Sequence, residues 1–241
     1  NGTDLLANDQ YGEIESRLKE AMTISLISDL GTSYFETIKE RTDRLKNKDD
    51  MVSTGWATID RKLYGGFTKG SLSIFAGGSG SGKSLFLQNG CLNWAMMGLN
   101  VIYITLELSE DLVGNRMDSM VSGMATKEIF KKSDELYYRF NKQVMEKSPS
   151  SLHIKKMPEA GTTCNDIRAY LREYHINYSR KPDILVIDYL DLLYPNNAMD
   201  ITNSFHKDKQ VAEQMRAIGG DFNIPVVTAS QLNRQSVDVM D

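Results

Sequence analysis

Apolar residues near the start of the chain return at a helical interval. Ile14, Leu18, Met22 and Leu26 recur every fourth position, with Glu15, Arg17, Lys19 and Glu20 between them. That spacing gathers the apolar side chains on one helix face. Gly31 interrupts the pattern and "SYFETIKERTDRLKN" resumes it as a second, heavily charged helix, so residues 13–47 are expected to be helical. "KNKDD", ending at Asp50, reads as a solvated linker. The arm over residues 1–50 has two readings: a hairpin on its own domain's surface, or an arm that docks on a neighbouring subunit.

From Met51 the pattern changes to strands alternating with helices. "SLSIFAG" predicts a strand, and "KSLFLQNGCLNWAMMG" a helix that Gly98 ends. "VIYITLE" is a second strand, followed by helices over about 110–123 and 134–147 and a short strand "LHIKK". "TTCNDIRAYLREYHI" has helical spacing with Thr163 as its N-cap. "DILVIDYL" and "IPVVTAS" are nearly continuous apolar, β-branched runs, as central parallel strands covered on both faces require. The alternation predicts an α/β domain over residues 51–241, a mainly parallel sheet flanked by helices and built from right-handed crossovers.

Bulk composition narrows this only a little. Of 241 residues, 41% are hydrophobic and 25% charged, which suits an ordinary globular core. A net charge of −4 argues against a surface that coats nucleic acid throughout, though not against a narrow basic channel. Two cysteines, Cys91 and Cys164, have neither metal-ligand spacing nor disulfide density, so a reducing cytoplasm is expected. No apolar run approaches the roughly 20 residues of a membrane span, and no membrane partner is expected. The chain begins at Asn1 without a signal-peptide pattern and is expected to be a fragment.

The chemistry enters with "IFAGGSGSGKSLFLQN". Gly77, Gly82, Lys83 and Ser84 fit G-x-x-x-x-G-K-[ST] after a strand and before a helix, the context a phosphate-binding loop needs. Gly77, Gly78, Gly80 and Gly82 let backbone N–H groups turn inward on phosphate oxygens, and the helix starting near Lys83 adds its positive end. The nucleotide-binding residues expected are Gly78, Ser79, Gly80, Ser81, Gly82, Lys83, Ser84 and Leu85. Lys83 is expected to reach the β- and γ-phosphates, and the Ser84 hydroxyl to hold Mg²⁺. Asp188, ending an apolar run, is expected to hold the same ion through water from a strand adjacent to the loop's own.

Tyr189 occupies the position where many such ATPases carry a catalytic Glu, so the base is expected elsewhere. Glu107, ending "VIYITLE", is the first candidate to orient and deprotonate the attacking water, with Glu110 and Asp111 as rivals. Its alternative is a helix-capping or exposed acid. Gln231, after "IPVVTAS", is placed to sense the γ-phosphate or to be an ordinary loop amide. Arg234 is placed to touch phosphate, another subunit or a surface carboxylate.

These residues carry a family resemblance. "STGWATIDRKLYGGFTKGSLSIFAGGSGSGKS" resembles the entry to a RecA-like P-loop NTPase core, with its T-G, I-D, L-x-G-G and G-x-L elements. "YITLELSEDLVGNRM", "ILVIDYLDLL" and "PVVTASQLNR" are similar, in order, to the motifs of DnaB-type hexameric replicative helicases, and "RLKEAMTISLISDLG" to their linker helices, with a phage-like cast. The resemblance implies an ATP hydrolase, a DNA helicase that moves 5′ to 3′ on single-stranded DNA at a replication fork as a hexameric homo-oligomer. It implies ATP and Mg²⁺ as the nucleotide and metal, Glu107, Lys83 and Gln231 as catalytic residues, and Ser84 and Asp188 at the metal. Primase and a helicase loader are implied partners through regions outside this chain. Lys207 and Lys209 fall where the family has a loop and helix near the ring's channel, and are expected either to meet DNA phosphates or to be a solvated helix start.

The family core continues beyond the equivalent of Asp241, through strands that carry a DNA-binding loop and an arginine finger. The chain is therefore expected to bind nucleotide but to hydrolyse it poorly by itself. Two other classes compete: a RecA-type recombination ATPase on an open filament, and a regulatory or scaffold ATPase whose nucleotide sets only its oligomeric state.

Overall fold

The computed structural model describes residues 32–46, 50–147, 149–196 and 204–232. The chain divides into two compact units, Asn1–Asn47 and Lys48–Asp241. In the first, helix α1 (Ile38–Lys46) is entered through a turn where Thr37 Oγ1 donates to the Ser33 carbonyl at 2.6 Å. The Arg41 guanidinium lies over the Tyr34 ring, and Phe35 and Ile38 are exposed. The earlier part of the expected helical arm lies outside the described residues, as do Arg234 and residues 197–203 of the loop before Lys207.

The second unit opens with strand β1 (Met51–Val52), helix α2 (Ala57–Lys62) and strand β2 (Phe67–Thr68), with β1 and β2 antiparallel. The sequence motifs before the glycine loop form a clasp here. The Asp60 carboxylate accepts from Ser53 Oγ at 2.6 Å, Thr54 N at 2.7 Å and Thr54 Oγ1 at 2.6 Å. Burial alone pushes the Asp60 carboxyl up, but these three hydrogen bonds outweigh it and hold it below its ordinary value. Gly66 must be glycine, because a Cβ would stand 2.1 Å from the Val52 carbonyl oxygen. Trp94 Nε1 donates to Ser53 O at 3.0 Å and ties the clasp to the next helix.

There follow β3 (Leu72–Gly77), α3 (Lys83–Met96), β4 (Val101–Thr105), α4 (Glu110–Ser122), α5 (Thr126–Ile129), α6 (Ser133–Gln143), β5 (Leu152–Lys156), α7 (Cys164–Tyr178), β6 (Ile184–Asp188), α8 (Ser204–Phe222) and β7 (Val226–Gln231). Five strands form one sheet in the order β3-β7-β6-β4-β5, and every neighbouring pair is parallel. Both β4 and β6 are buried along their whole length, which explains their unbroken apolar runs. Alternate residues serve opposite faces. Ile102, Ile104, Leu185 and Ile187 pack with Ile167 and Leu171 of α7 and with Val211, Met215 and Ile218 of α8. Val101, Tyr103, Ile184 and Val186 pack with Leu87, Cys91 and Trp94 of α3 and with Val113 and Met117 of α4.

The strand order corrects one expectation. The Asp188 strand is not adjacent to the loop's strand, because β7 lies between β3 and β6. Nor is β4 a neighbour of β3; it pairs with β6 and β5. Alignment of the strand ends compensates for the distance, since Gly77 pairs with Gln231 and Thr105 with Asp188. All four motifs therefore finish on one edge of the sheet.

Candidate nucleotide site

A cleft of ≈ 520 Å³ opens at that edge, lined by Ser79, Gly80, Gly82, Lys83, Ser84, Leu85, Glu107, Leu108, Arg116, Thr126, Tyr189 and Gln231. Crevices outside the carboxyl ends of parallel strands are where open α/β sheets bind ligands. The glycine loop shapes one wall. Gly80 (φ 75°) and Gly82 (φ 88°) take left-handed conformations that other residues adopt at a cost. Gly82 also sits at the N-cap of α3, where no side chain caps the helix and no acid stands in its first turn. The helix's positive end thus faces the cleft without a negative side chain of its own.

Gly78 and Ser81 do not line the cleft; they support the turn. The Gly78 carbonyl accepts from Ser81 N at 3.3 Å and from Lys83 Nζ at 2.9 Å. Lys83 Nζ also donates to Gly77 O at 3.0 Å, so the ammonium group is held within the loop rather than extended into solvent.

Asp188 stands behind Ser84. It is 2% exposed, and Ser84 Oγ donates to its Oδ1 at 3.1 Å. On its other side Tyr103 Oη donates to Asp188 Oδ2 at 2.5 Å, and Gln88 Nε2 donates to Tyr103 Oη at 3.2 Å. The Asp188–Tyr189 peptide bond is cis. Tyr189 lines the cleft, and its hydroxyl is pushed up by burial and by the carboxylates of Glu107, Asp191, Asp188 and Glu159, so it stays protonated.

Glu107 is placed by a tight turn after β4. Leu106 N continues the ladder to Asp188 O at 2.9 Å. Thr105 Oγ1 then both donates to Leu108 O at 2.9 Å and accepts from Leu108 N at 3.0 Å. The turn sets Glu107 on the cleft wall. Neither rival acid lines it. Glu110 is engaged elsewhere, its Oε1 accepting from Lys156 N at 2.9 Å; Asp111 stands with it in the first turn of α4.

Gln231 reaches the cleft from the tip of β7. Asp191 holds that tip, accepting from Ser230 Oγ at 2.9 Å through Oδ1 and from Gln231 N at 2.8 Å through Oδ2. The Asp191 carbonyl accepts from Lys207 Nζ at 2.5 Å, and that ammonium lies 5.0 Å from the Tyr194 ring centroid. Lys207 is therefore engaged inside the fold, whereas Lys209 is exposed.

Arg116, Tyr103 and Asp191 were not singled out from the sequence. Arg116 looks there like one of many helix-surface charges, Tyr103 like another strand apolar, and Asp191 like a loop acid. Only tertiary placement distinguishes them. Among the described residues no group of three or more His, Cys, Asp or Glu side chains is arranged to hold a metal. The hard oxygens of Ser84 and Asp188 suit a magnesium ion whose remaining ligands are water and phosphate.

Comparison with known proteins bears on what this cleft does. A family model described as the DnaB-like helicase C terminal domain matches residues 51–240. The chain is 26% identical over 236 residues to the DnaB-like replicative helicase of Enterobacteria phage T4, spanning 95% of this chain and 49% of that protein. Against the replicative DNA helicase DnaB of Rickettsia bellii it is 28% identical over 247 residues, spanning 95% and 48%. The chain thus spans about half the length of the curated relatives it matches. Among solved structures it is similar to a DnaB-like replicative helicase studied with its primase interactions, at a TM-score of 0.71 and 22% identity over 99% of this chain and 58% of that one. A second solved structure, of an ATPase domain, is similar at a TM-score of 0.70 and 22% identity over 86% of this chain and 74% of that one. That likeness is one of fold, a parallel five-stranded sheet flanked by helices.

Proposed function

This chain belongs to the DnaB-like helicase C-terminal domain family, and we propose that it is the ATP-hydrolysing motor of a replicative DNA helicase. One observation carries the proposal. A single cleft brings together Lys83, Ser84, Glu107 and Gln231 from beyond the ends of three strands, with Asp188 behind Ser84.

Each residue then has a role that its position supports. Backbone N–H groups of the glycine loop and the uncapped start of α3 receive the phosphates. Lys83 exchanges its two loop carbonyls for β- and γ-phosphate oxygens. Ser84 would hold Mg²⁺ and Asp188 would hold it through water, and the ion, when bound, would neutralise charge on the phosphate oxygens. Glu107 orients the attacking water and takes its proton. Gln231 hydrogen-bonds the γ-phosphate or that water, and the Asp191 clamp fixes the strand tip from which it does so.

The wider assembly rests on the family. In it, residues 1–50 form a linker arm that docks on a neighbouring subunit, and residues 51–241 belong to a core that closes a homohexameric ring around single-stranded DNA. The ring moves 5′ to 3′ at the replication fork in a cytoplasm, the host's if the gene is a phage's. Primase and a loader engage other parts of the protein. Lys209, exposed on α8, is the better of the two lysines to meet DNA phosphate.

The test is ATP hydrolysis by the whole protein with and without single-stranded DNA, followed by unwinding of a forked duplex. Stimulation by DNA together with unwinding is expected. Hydrolysis indifferent to DNA would give the scaffold ATPase instead, and stimulation without unwinding, with filaments in electron micrographs, the recombinase.

A further inference from the structure

The α3-facing side of the sheet carries a buried tyrosine among its apolar residues. Tyr103 packs with Leu87, Cys91, Trp94, Val113 and Met117, and both it and Gln88 of α3 are 0% exposed. Each burial costs free energy unless its hydrogen bonds are made. The Gln88 amide is only half satisfied, because Nε2 donates to Tyr103 Oη while Oε1 has no hydrogen-bond partner among the described residues. A pair of aliphatic residues would fill this space without leaving an acceptor stranded. The chain thus keeps a polar column where stability alone favours an apolar one.

The column ends on Asp188. Tyr103 Oη takes Oδ2 at 2.5 Å, and Oδ1 is turned to Ser84 Oγ at 3.1 Å. A carboxylate held at one oxygen cannot rotate freely, and its other oxygen has a fixed bearing. Groups standing behind a metal's ligands set ligand orientation and hence metal affinity.

We propose that Tyr103 is a positioning residue for the divalent cation: held by Gln88, it fixes the Asp188 carboxylate so that the oxygen beside Ser84 faces the metal. This inference rests on reading the cleft as a metal–nucleotide site. Its contacts are distinct from the glycine loop, so it separates metal binding from nucleotide binding.

The experiment titrates Mn²⁺ into the whole protein with a non-hydrolysable ATP analogue, following free Mn²⁺ by electron paramagnetic resonance. Analogue affinity is measured separately in chelator. Tyr103→Phe keeps the ring and loses the donor. It is expected to weaken Mn²⁺ binding about tenfold while leaving metal-free analogue affinity unchanged. Val113→Ala trims the same buried layer without touching the column, and is expected to lower the melting temperature and leave Mn²⁺ affinity as it was. Mn²⁺ affinity within twofold of the parent in Tyr103→Phe overturns the proposal, as does an equal loss in Val113→Ala, which would make the effect one of packing. Tyr103→Met repeats the test should the Phe variant fail to fold. Asp188→Asn checks the underlying reading. If it leaves Mn²⁺ binding intact, the metal site itself is misplaced; if it weakens binding and Tyr103→Phe does not, only the inference falls.

Discussion

Two helices of the core begin in opposite ways. Helix α7 closes its own N-terminus with a capping box: the Thr163 hydroxyl accepts from Asp166 N, and the Asp166 carboxylate accepts from Thr163 N at 2.8 Å. Helix α3 starts at Gly82, with no capping side chain and no acid in its first turn. A cap satisfies N–H groups that nothing else reaches, and contributes about 1 kcal/mol. Leaving those groups uncapped forgoes that stability, and is sensible where an anion will supply the missing acceptors. On the proposed function, the difference makes the start of α3 a site and that of α7 structure.

The largest effect expected from breaking this comparison lies in the chemistry beside α3. Glu107→Gln should lower the rate of ATP hydrolysis about 10²- to 10⁴-fold with nucleotide affinity preserved, checked by steady-state turnover and by equilibrium binding. Near-normal turnover would move the base to another residue.

Next comes Lys83→Ala. It removes a charged donor whose hydrogen bonds contribute about 1.5–3 kcal/mol, so nucleotide affinity should fall roughly 10- to 150-fold, read by calorimetry or a fluorescent analogue. The two variants thereby separate cradle from catalyst.

A finer pair tests the helix starts directly. Gly82→Ala meets no steric obstacle, since nothing lies within 4 Å of the added Cβ, but it strains the left-handed backbone by about 1–2 kcal/mol. Thr163→Ala should cost about 1 kcal/mol through its lost cap. Denaturant unfolding should find the two losses comparable. Only Gly82→Ala should also weaken nucleotide binding, and an equal effect of Thr163→Ala would erase the distinction.

The smallest effect is one of pH. Hydrogen bonds from the Thr163 hydroxyl and backbone hold the Asp166 carboxyl below its ordinary value of 3.8. A depressed folded-state value means the cap's contribution is present above the ordinary range and is lost as pH falls through the lowered one. Stability of the parent should therefore decline more steeply below pH 4 than that of Asp166→Asn, by unfolding followed across pH.

Much of this contrast is legible in the chain itself. The glycine loop declares itself by spacing, and Thr163 by its place before an apolar-periodic run. The core strands β4 and β6 are visible because burial on both faces demands unbroken apolar runs. Other features leave no linear trace. Strands β1 and β2 have two residues each, too few for a period. The insertion of β7 between β3 and β6 is a matter of pairing, which one strand's composition does not encode. Tyr103 sits in a run where any large residue would look alike, and Asp191 among loop polars. Their roles arise from groups 85 and 40 positions away in the chain.

The Asp191 clamp has a mechanical consequence. Pairing between β6 and β7 stops at Ile187 and Thr228, whereas β3 and β7 stay in register to Gly77 and Gln231. Beyond Thr228, β7 is zipped to the glycine loop's strand on one side and held on the other by a single carboxylate. Leu232 N extends the zip by donating to Gly77 O at 3.1 Å. A pull on the backbone after Leu232 is thus borne first by Gly77, the residue that opens the glycine loop.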